Sequence, residues 1–333
     1  MFTLNPARLL FFSSLILGTL VALSSTSWFT AWLGLELNLL SFIPLISSKS
    51  NLYSSEAALK YFLIQALGSA IILASAPALL AFTLSPSVMI SSALLLKMGA
   101  APVHFWFPSV MQGIGWVQCL ILMTNQKVAP MLMLTYLYND SITHIIFISS
   151  ILSSLVGSLG GLNQTLMRKI MAYSSINHMA WMLAAIHISV PLWTNYFLTY
   201  TLVSSTVVAI MNSQQIYHFN QTSNLFHRST MLKISSLFCI LSLGGLPPFL
   251  GFLPKLSVIQ SLAFSNSILW LSVLLLSALI TLFYYLRMIL LPLTLSSPKN
   301  KGALSSPRGS LLTAITFINL TPLMTPLVTF LPF

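Results

Sequence analysis

Carboxylates are nearly absent from this chain of 333 residues. Its only acidic residues are Glu36, Glu56 and Asp140, against 14 lysines and arginines. Three carboxylates are too few to build a divalent-cation site from protein ligands alone. Charged residues make up 5% of the chain, whereas a soluble globular protein carries about a quarter. This composition excludes a soluble globular fold.

Cysteines and nucleotide-binding motifs are equally scarce. Cys119 and Cys239 lie far apart in apolar runs and form no CxxC pair, so the sequence has no ligand set for zinc or an iron–sulfur cluster. No GxGxxG or GxxxxGK[ST] motif occurs. We therefore expect no metal or cofactor site here, and any redox cofactor to belong to a partner. Basic clusters with interleaved aromatic residues are also missing, which argues against nucleic-acid binding.

Long apolar runs dominate what is present. Hydrophobic residues make up 56% of the chain, and the mean hydropathy is +0.91. At roughly 20 apolar residues per span, the sequence predicts about eleven transmembrane helices. They lie near 7–25, 28–47, 57–83, 86–107, 114–138, 142–161, 168–187, 191–216, 230–263, 266–294 and 310–331. The first also resembles a signal peptide, but the continuing apolar spans favour a membrane helix. We predict an all-α polytopic membrane protein with a single membrane domain over residues 1–333.

The basic residues are distributed unevenly between the two sides that alternate loops would face. One side receives Arg8, Lys49, Lys60, Arg168, Lys169, Arg228, Lys233, Lys299, Lys301 and Arg308, and Arg287 lies near that end of its helix. The positive-inside rule places the N-terminus and these loops on the cytoplasmic or matrix side. The remaining basic residues, Lys97, Lys127 and Lys255, all lie inside predicted helices.

Glycine and proline interrupt two of the predicted helices. Gly99 and Pro102 break the fourth, and residues 244–248 (GGLPP) break the ninth. Breaks at matching positions in two halves indicate inverted repeats. We predict two inverted five-helix repeats, at about 7–138 and 142–294, followed by a C-terminal helix at about 310–331 that has no assigned role. The alternative is that these helices simply tolerate proline, as membrane helices do.

A lysine inside a membrane is costly, at roughly 2.5–3.5 kcal/mol on insertion scales. Each membrane lysine has a nearby proline that we expect to free the helix carbonyl four residues earlier. The prolines are Pro102, Pro130 and Pro254, and the freed carbonyls are those of Met98, Gln126 and Leu250. Unpaired carbonyls in a membrane need donors, and water or an ammonium group can supply them.

Glu36 is the only acid inside a predicted helix, so it cannot neutralise three lysines. This favours proton exchange among Glu36, Lys97, Lys127 and Lys255 over the alternative of one static pair. His104 and His178 are candidate relays or packed hydrogen-bond donors, and His104 shares a helix face with Lys97 if that helix is unbroken. Four other side chains are expected to have ordinary roles: Glu56 and Lys60 as a surface pair, and the two cysteines in packing.

Four segments resemble the antiporter-like subunits of respiratory complex I. They are residues 32–38 (WLGLELN), 97–106 (KMGAAPVHFW), 161–176 (GLNQTLMRKIMAYSSI) and 244–252 (GGLPPFLGF). The resemblance runs over nearly the whole chain, except for the region after residue 293. It implies a proton-translocating membrane-arm subunit with two inverted repeats, each containing a broken helix.

The resemblance also implies roles and partners. In that family the glutamate at Glu36 pairs with Lys97, Lys127 links the half-channels, and Lys255 faces the far one. The implied partners are other complex I subunits, especially neighbouring antiporter-like ones, and lipids such as cardiolipin. FMN, iron–sulfur clusters and quinone would belong to other subunits, and the implied location is the inner mitochondrial membrane with the basic loops in the matrix. The alternatives are a free-standing cation/proton antiporter, disfavoured because no second membrane carboxylate can bind sodium, and a passive scaffold.

Overall fold

The computed structural model describes residues 6–47, 51–80, 84–137, 140–222, 230–294 and 309–324. Within these ranges the chain is α-helical and forms no strands, apart from an isolated antiparallel bridge between Leu166 and His218. The prediction of an all-α fold is therefore confirmed for the described residues.

The helices follow one another with short connections. They are α1 (Pro6–Ser24), α2 (Trp28–Ile46), α3 (Leu52–Ser75), α4 (Leu84–Met98), α5 (Trp106–Gly113), α6 (Trp116–Met123), α7 (Asn125–Thr135), α8 (Asp140–Leu162), α9 (Met167–Ile188), α10 (Val190–Gln214), α11 (Thr230–Gly244), α12 (Phe252–Phe264), α13 (Ile268–Thr294) and α14 (Gly309–Met324). A 3₁₀ turn, Pro77–Leu80, follows α3, and residues 219–222 form another after α10.

Every predicted span overlaps at least one of these helices, but α5 lies largely between the fourth and fifth predicted spans. Among the described residues, five helical segments are long and apolar enough to cross a membrane: Pro6–Ser24, Trp28–Ile46, Leu52–Leu79, Asp140–Leu162 and Ile268–Leu290. Shorter apolar helices occur at both predicted breaks, where α4 ends and on either side of the gap between α11 and α12. The count of eleven membrane crossings stays a prediction.

The chain divides into two compact units after Leu152. In the first unit, small residues bring α1 and α2 into backbone contact. A Cβ at Gly34 would lie 2.5 Å from the backbone nitrogen of Ala22, and one at Gly18 would lie 2.9 Å from that of Asn38. Such close approach is typical of membrane helix pairs, which lack a hydrophobic driving force between them. It fixes the face of α2 that carries Asn38.

In the second unit, α9 is the most enclosed helix, with nearly all of its residues from Ile170 to Ile186 buried. Its polar residue Asn177 is 2% exposed and accepts a hydrogen bond from Ser277 Oγ on α13 at 3.2 Å. A Cβ at Gly157 of α8 would lie 2.6 Å from the backbone nitrogen of Asn177. Buried polar groups need partners. Asn177, on the face of α9 that packs against α8, finds its partner on α13.

Candidate functional site

The break after α4 is made by glycine. Gly99 has a φ of +73°, in the left-handed region that glycine adopts without a steric penalty. Its N–H donates to Leu96 O at 3.1 Å, and the N–H of Ala100 donates to Leu95 O at 3.1 Å. These two bonds form a Schellman motif, which satisfies the last carbonyls of the helix.

The break after α11 has the same construction. Gly245 has a φ of +75°. Its N–H donates to Ser242 O at 3.1 Å, and the N–H of Leu246 donates to Leu241 O at 3.4 Å. Each unit thus contains a helix that stops at a left-handed glycine.

We predicted that Pro102, Pro130 and Pro254 each free the helix carbonyl four residues earlier, and this prediction is wrong for Pro102 and Pro254. Since α4 already ends at Met98, Pro102 lies outside the helix and frees no helical carbonyl there. Pro254 lies in the first turn of α12, so Leu250 is outside that helix as well. Only Pro130 lies inside a helix, α7, as expected. An additional break, at Thr124 between α6 and α7, interrupts the predicted fifth span three residues before Lys127.

Lys97 lies in the last turn of α4 and is 5% exposed. Its ammonium donates to the backbone oxygen of Gln65 on α3 at 3.2 Å, while Gln65 Nε2 donates to the Lys97 oxygen at 3.1 Å. Gly68, one turn further along α3, provides space for the lysine stem: a Cβ there would lie 3.1 Å from Lys97 Cγ. A cation near a helix C-terminus is stabilised by the helix dipole.

Glu36 on α2 interacts electrostatically with Lys97. The two side chains form no direct ion pair. Glu36 is partly buried, and its Oε2 is buried without a hydrogen-bond partner among the described residues. The structure therefore places the two predicted partners close enough for their charges to interact, with a gap between them.

A polar chain runs beside this pair. Gln126 on α7 donates through Nε2 to Asn38 Oδ1 on α2 at 2.9 Å, and its Oε1 accepts from the Tyr61 hydroxyl on α3 at 3.2 Å. All three side chains are buried. Sequence reasoning missed this chain, although an amide beside Glu36 and another beside Lys127 were visible signals.

Lys127 lies in the first turn of α7 and is 2% exposed. Its ammonium lies 5.1 Å from the ring centroid of Phe107, a cation–π contact. Phe107 in turn covers Gly99, where an added Cβ would lie 3.1 Å from Phe107 Cβ. One aromatic ring therefore connects Lys127 with the break after α4.

Lys255 in α12 reaches back to the second break. Its ammonium donates to Gly244 O at 2.9 Å and lies 6.0 Å from the ring centroid of Trp181. The lysine side chain lies across Gly245, since a Cβ there would be 2.9 Å from Nζ. Lys255 is 5% exposed and caps the C-terminus of α11, where a cation is favoured.

The two histidines occupy different settings. His104 lies in the non-helical stretch after α4, with Nδ1 3.2 Å from Pro102 O. Because α4 ends at Met98, His104 does not continue the helix face of Lys97. His178 on α9 has Nδ1 2.9 Å from the hydroxyl of Tyr196.

A small cavity in the second unit connects His178 with the break after α11. Its lining includes His178, Tyr196, Ser242 and Pro254. The pocket is lined mainly by apolar surface, and its free volume is about that of one water molecule. Glu36, Lys97, Lys127 and His104 thus belong to the first unit, and Lys255 and His178 to the second.

The remaining predicted groups have ordinary settings. Glu56 and Lys60 form an exposed ion pair at 2.5 Å, as expected. Cys119 and Cys239 are both buried and form no disulfide. Among the residues described, no group of three or more His, Cys, Asp or Glu side chains is arranged to hold a metal ion.

Comparison with known proteins identifies the family of the chain. The family model described as NADH:quinone oxidoreductase/Mrp antiporter, TM matches residues 25–86 and 80–281. The NADH-ubiquinone oxidoreductase chain 2 of Anopheles gambiae is 47% identical over 93% of this chain and 92% of its own length.

Two solved structures extend the comparison. A chain of respiratory complex I from Thermus thermophilus superposes with a TM-score of 0.86 at 26% identity, covering 98% of this chain and 80% of that one. The Mrp complex from Dietzia sp. DQ12-45-1b matches with a TM-score of 0.74 at 17% identity, over 83% of this chain and 58% of that one, which shows a shared fold.

These matches confirm the resemblance found in the sequence and make the chain a multi-pass membrane protein. Since the family model covers more than half of the chain and a relative of nearly equal length is 47% identical, the chain belongs to the NADH:quinone oxidoreductase/Mrp antiporter family of transmembrane proteins.

Proposed function

We propose that this chain is a membrane-arm subunit of respiratory complex I that translocates protons while other subunits carry electrons from NADH to ubiquinone. One observation carries the proposal: in each unit a buried lysine lies at a helix end that is closed by a left-handed glycine. An ammonium held by backbone carbonyls away from water can lose and regain a proton when a neighbouring charge changes.

The gap between Glu36 and Lys97 suits this task. A tight ion pair would hold the proton on the lysine, whereas partners without direct contact exchange it through water or through rotation of the glutamate side chain. We propose that redox chemistry elsewhere in the complex perturbs this pair. Protons then move along Lys127 and Lys255, with His104 and His178 as relays, and leave on the side opposite the basic loops.

The relatives support a proposal for the location and partners. We place the chain in the inner mitochondrial membrane, with the N-terminus and basic loops in the matrix. Its partners are other subunits of complex I, especially neighbouring antiporter-like ones, and anionic lipids such as cardiolipin that meet the basic loops. FMN, iron–sulfur clusters and quinone are held by those other subunits.

A free-standing cation/proton antiporter is the rival function. Its support is the shared fold with the Mrp complex, at 17% identity. The 47% identity to a chain 2 relative over nearly the full length favours the complex I subunit instead. The sequence also has a single carboxylate within the predicted spans, so it lacks a second one to coordinate sodium.

Native electrophoresis tests this choice. Mitochondrial membranes are solubilised gently, and the gel is probed for this chain and stained for NADH dehydrogenase activity. We expect the chain to migrate with a very large active band. Migration as a small species separate from that band would contradict the proposal and support the antiporter.

A further inference from the structure

Asn319 is a wholly buried amide in the middle of an apolar helix, α14. Its side chain is 0% exposed. A polar group buried in an apolar environment costs free energy unless it is fully hydrogen-bonded. The partners of Asn319 therefore indicate what α14 is attached to.

The Asn319 side chain joins three helices. Its Oδ1 accepts a hydrogen bond from Ser242 Oγ on α11 at 2.7 Å, and its Nδ2 donates to Ile315 O in its own helix at 2.9 Å. The same Nδ2 lies 3.3 Å from Cys239 Sγ on α11 and 3.5 Å from Thr206 Oγ1 on α10. Both ends of the amide thus have partners on α11.

The backbone of Asn319 reaches into the break itself. Its carbonyl oxygen accepts from the N–H of Leu250, in the stretch between α11 and α12, at 3.3 Å. Helix breaks leave backbone donors without helical partners, and Asn319 supplies one of the missing acceptors. Gly251, the next residue, packs directly on the Ser242 carbonyl, because a Cβ there would overlap that oxygen. One residue of α14 therefore contacts both the end of α11 and the loop that follows it.

The end of α11 is also where Lys255 is held. The carbonyl that accepts from the Lys255 ammonium belongs to Gly244, two residues after Ser242. The position of this carbonyl depends on how the last turn of α11 is fixed. Asn319 fixes that turn through Ser242 and fixes the return of the chain through Leu250.

We propose that Asn319 is a positioning residue for proton translocation: it keeps the break between α11 and α12 in the geometry that holds Lys255. This inference rests on the proposed function, and it assigns a role to a helix that has no charged residue and no motif. A merely structural role, in which Asn319 only attaches α14, is the competing explanation. That role predicts less assembled complex but normal coupling in the complex that remains.

The test is Asn319→Leu in the full chain, within the assembled complex in inner-membrane vesicles. The amount of complex is measured on native gels, and NADH oxidation and proton uptake are measured together. We expect the number of protons translocated per electron to fall by about twofold or more. The matched control is Thr316→Val on the same helix, because the Thr316 hydroxyl bonds only locally, to Thr313 O at 2.8 Å. An Asn319→Leu ratio equal to that of Thr316→Val overturns the inference.

A second variant covers the case in which Asn319→Leu fails to assemble. Ser242→Ala removes the hydrogen bond from the other partner and adds no volume. A lowered proton-to-electron ratio in this variant supports positioning, and a normal ratio overturns it.

Lys255→Met, measured in the same vesicles, separates this inference from the proposed function. If Lys255→Met leaves the proton-to-electron ratio normal, the proposal that protons move through this site is wrong. If Lys255→Met lowers the ratio and Asn319→Leu does not, only the positioning role is wrong.

Discussion

Adding a methyl group at Gly245 is expected to displace Lys255, whereas the same change at Gly244 is not. Gly245 has a φ of +75°, and an added Cβ would lie 2.9 Å from both Cδ and Nζ of Lys255. At Gly244 the nearest atom to an added Cβ is Cδ2 of Tyr285, at 3.5 Å, which is an ordinary van der Waals distance. The same substitution to alanine therefore clashes with Lys255 at Gly245 but is accommodated at the adjacent Gly244.

The free-energy cost of Gly245→Ala is the sum of two terms. A left-handed backbone costs an L-residue about 1–2 kcal/mol. Displacing the Lys255 ammonium from Gly244 O gives up a hydrogen bond to a charged group, which is worth about 1.5–3 kcal/mol. Together they come to about 2.5–5 kcal/mol, which is more than the 1.4 kcal/mol that shifts an equilibrium about tenfold. Gly244→Ala, by contrast, gains up to about 1 kcal/mol of helix propensity in the last turn of α11.

The assay uses both variants in the assembled complex. Samples are heated to graded temperatures and run on native gels, and unheated vesicles are assayed for protons translocated per electron. We expect Gly245→Ala to lower both heat stability and the proton-to-electron ratio. We expect Gly244→Ala to keep the wild-type ratio and to be at least as heat-stable as the wild type. Equal behaviour of the two variants would refute the argument that the left-handed glycine holds Lys255.

Three further outcomes follow from the first unit. Glu36→Gln removes the charge that acts on Lys97, so we expect proton pumping and coupled NADH oxidation to fall while the complex still assembles on native gels; loss of the assembled complex would point to a structural role. Gln126→Leu leaves the Tyr61 hydroxyl and the Asn38 amide without their partner, at about 1–3 kcal/mol per buried group, and the heat stability of the complex should drop. Glu56→Gln breaks an exposed ion pair and should change neither property, because such pairs contribute little.

The helix positions could be predicted from sequence because apolar runs of membrane length are a local property. The breaks at the fourth and ninth spans were visible for the same reason, through glycine and proline in adjacent positions. Gly99 was named as part of the fourth break, but the effect of Pro102 was misjudged. The proline rule presumes a helix that continues past Met98, and Gly99 closes the helix first with its left-handed backbone. The break at Thr124 has no glycine beside it and gave no local signal.

The candidate site, like the fold, could be predicted only in part. The membrane lysines and Glu36 stood out because charge in an apolar run is rare. The contacts that hold them were not predictable, because they join residues far apart in the chain. Ser242 and Asn319 are separated by 77 positions, and Asn319 looks like any polar residue in an apolar span until its partners are known. The same holds for Phe107, whose ring covers both Gly99 and Lys127.

The proposed function requires that buried lysines at the helix ends carry protons. The most direct test is the number of protons translocated per electron in vesicles whose complex carries Lys97→Met or Lys255→Met, with assembly checked on native gels. Methionine keeps most of the apolar stem and removes the exchangeable proton. A ratio below that of the wild type in both variants is the predicted result. A normal ratio with normal NADH oxidation in both would contradict the claim and leave the chain as a passive scaffold.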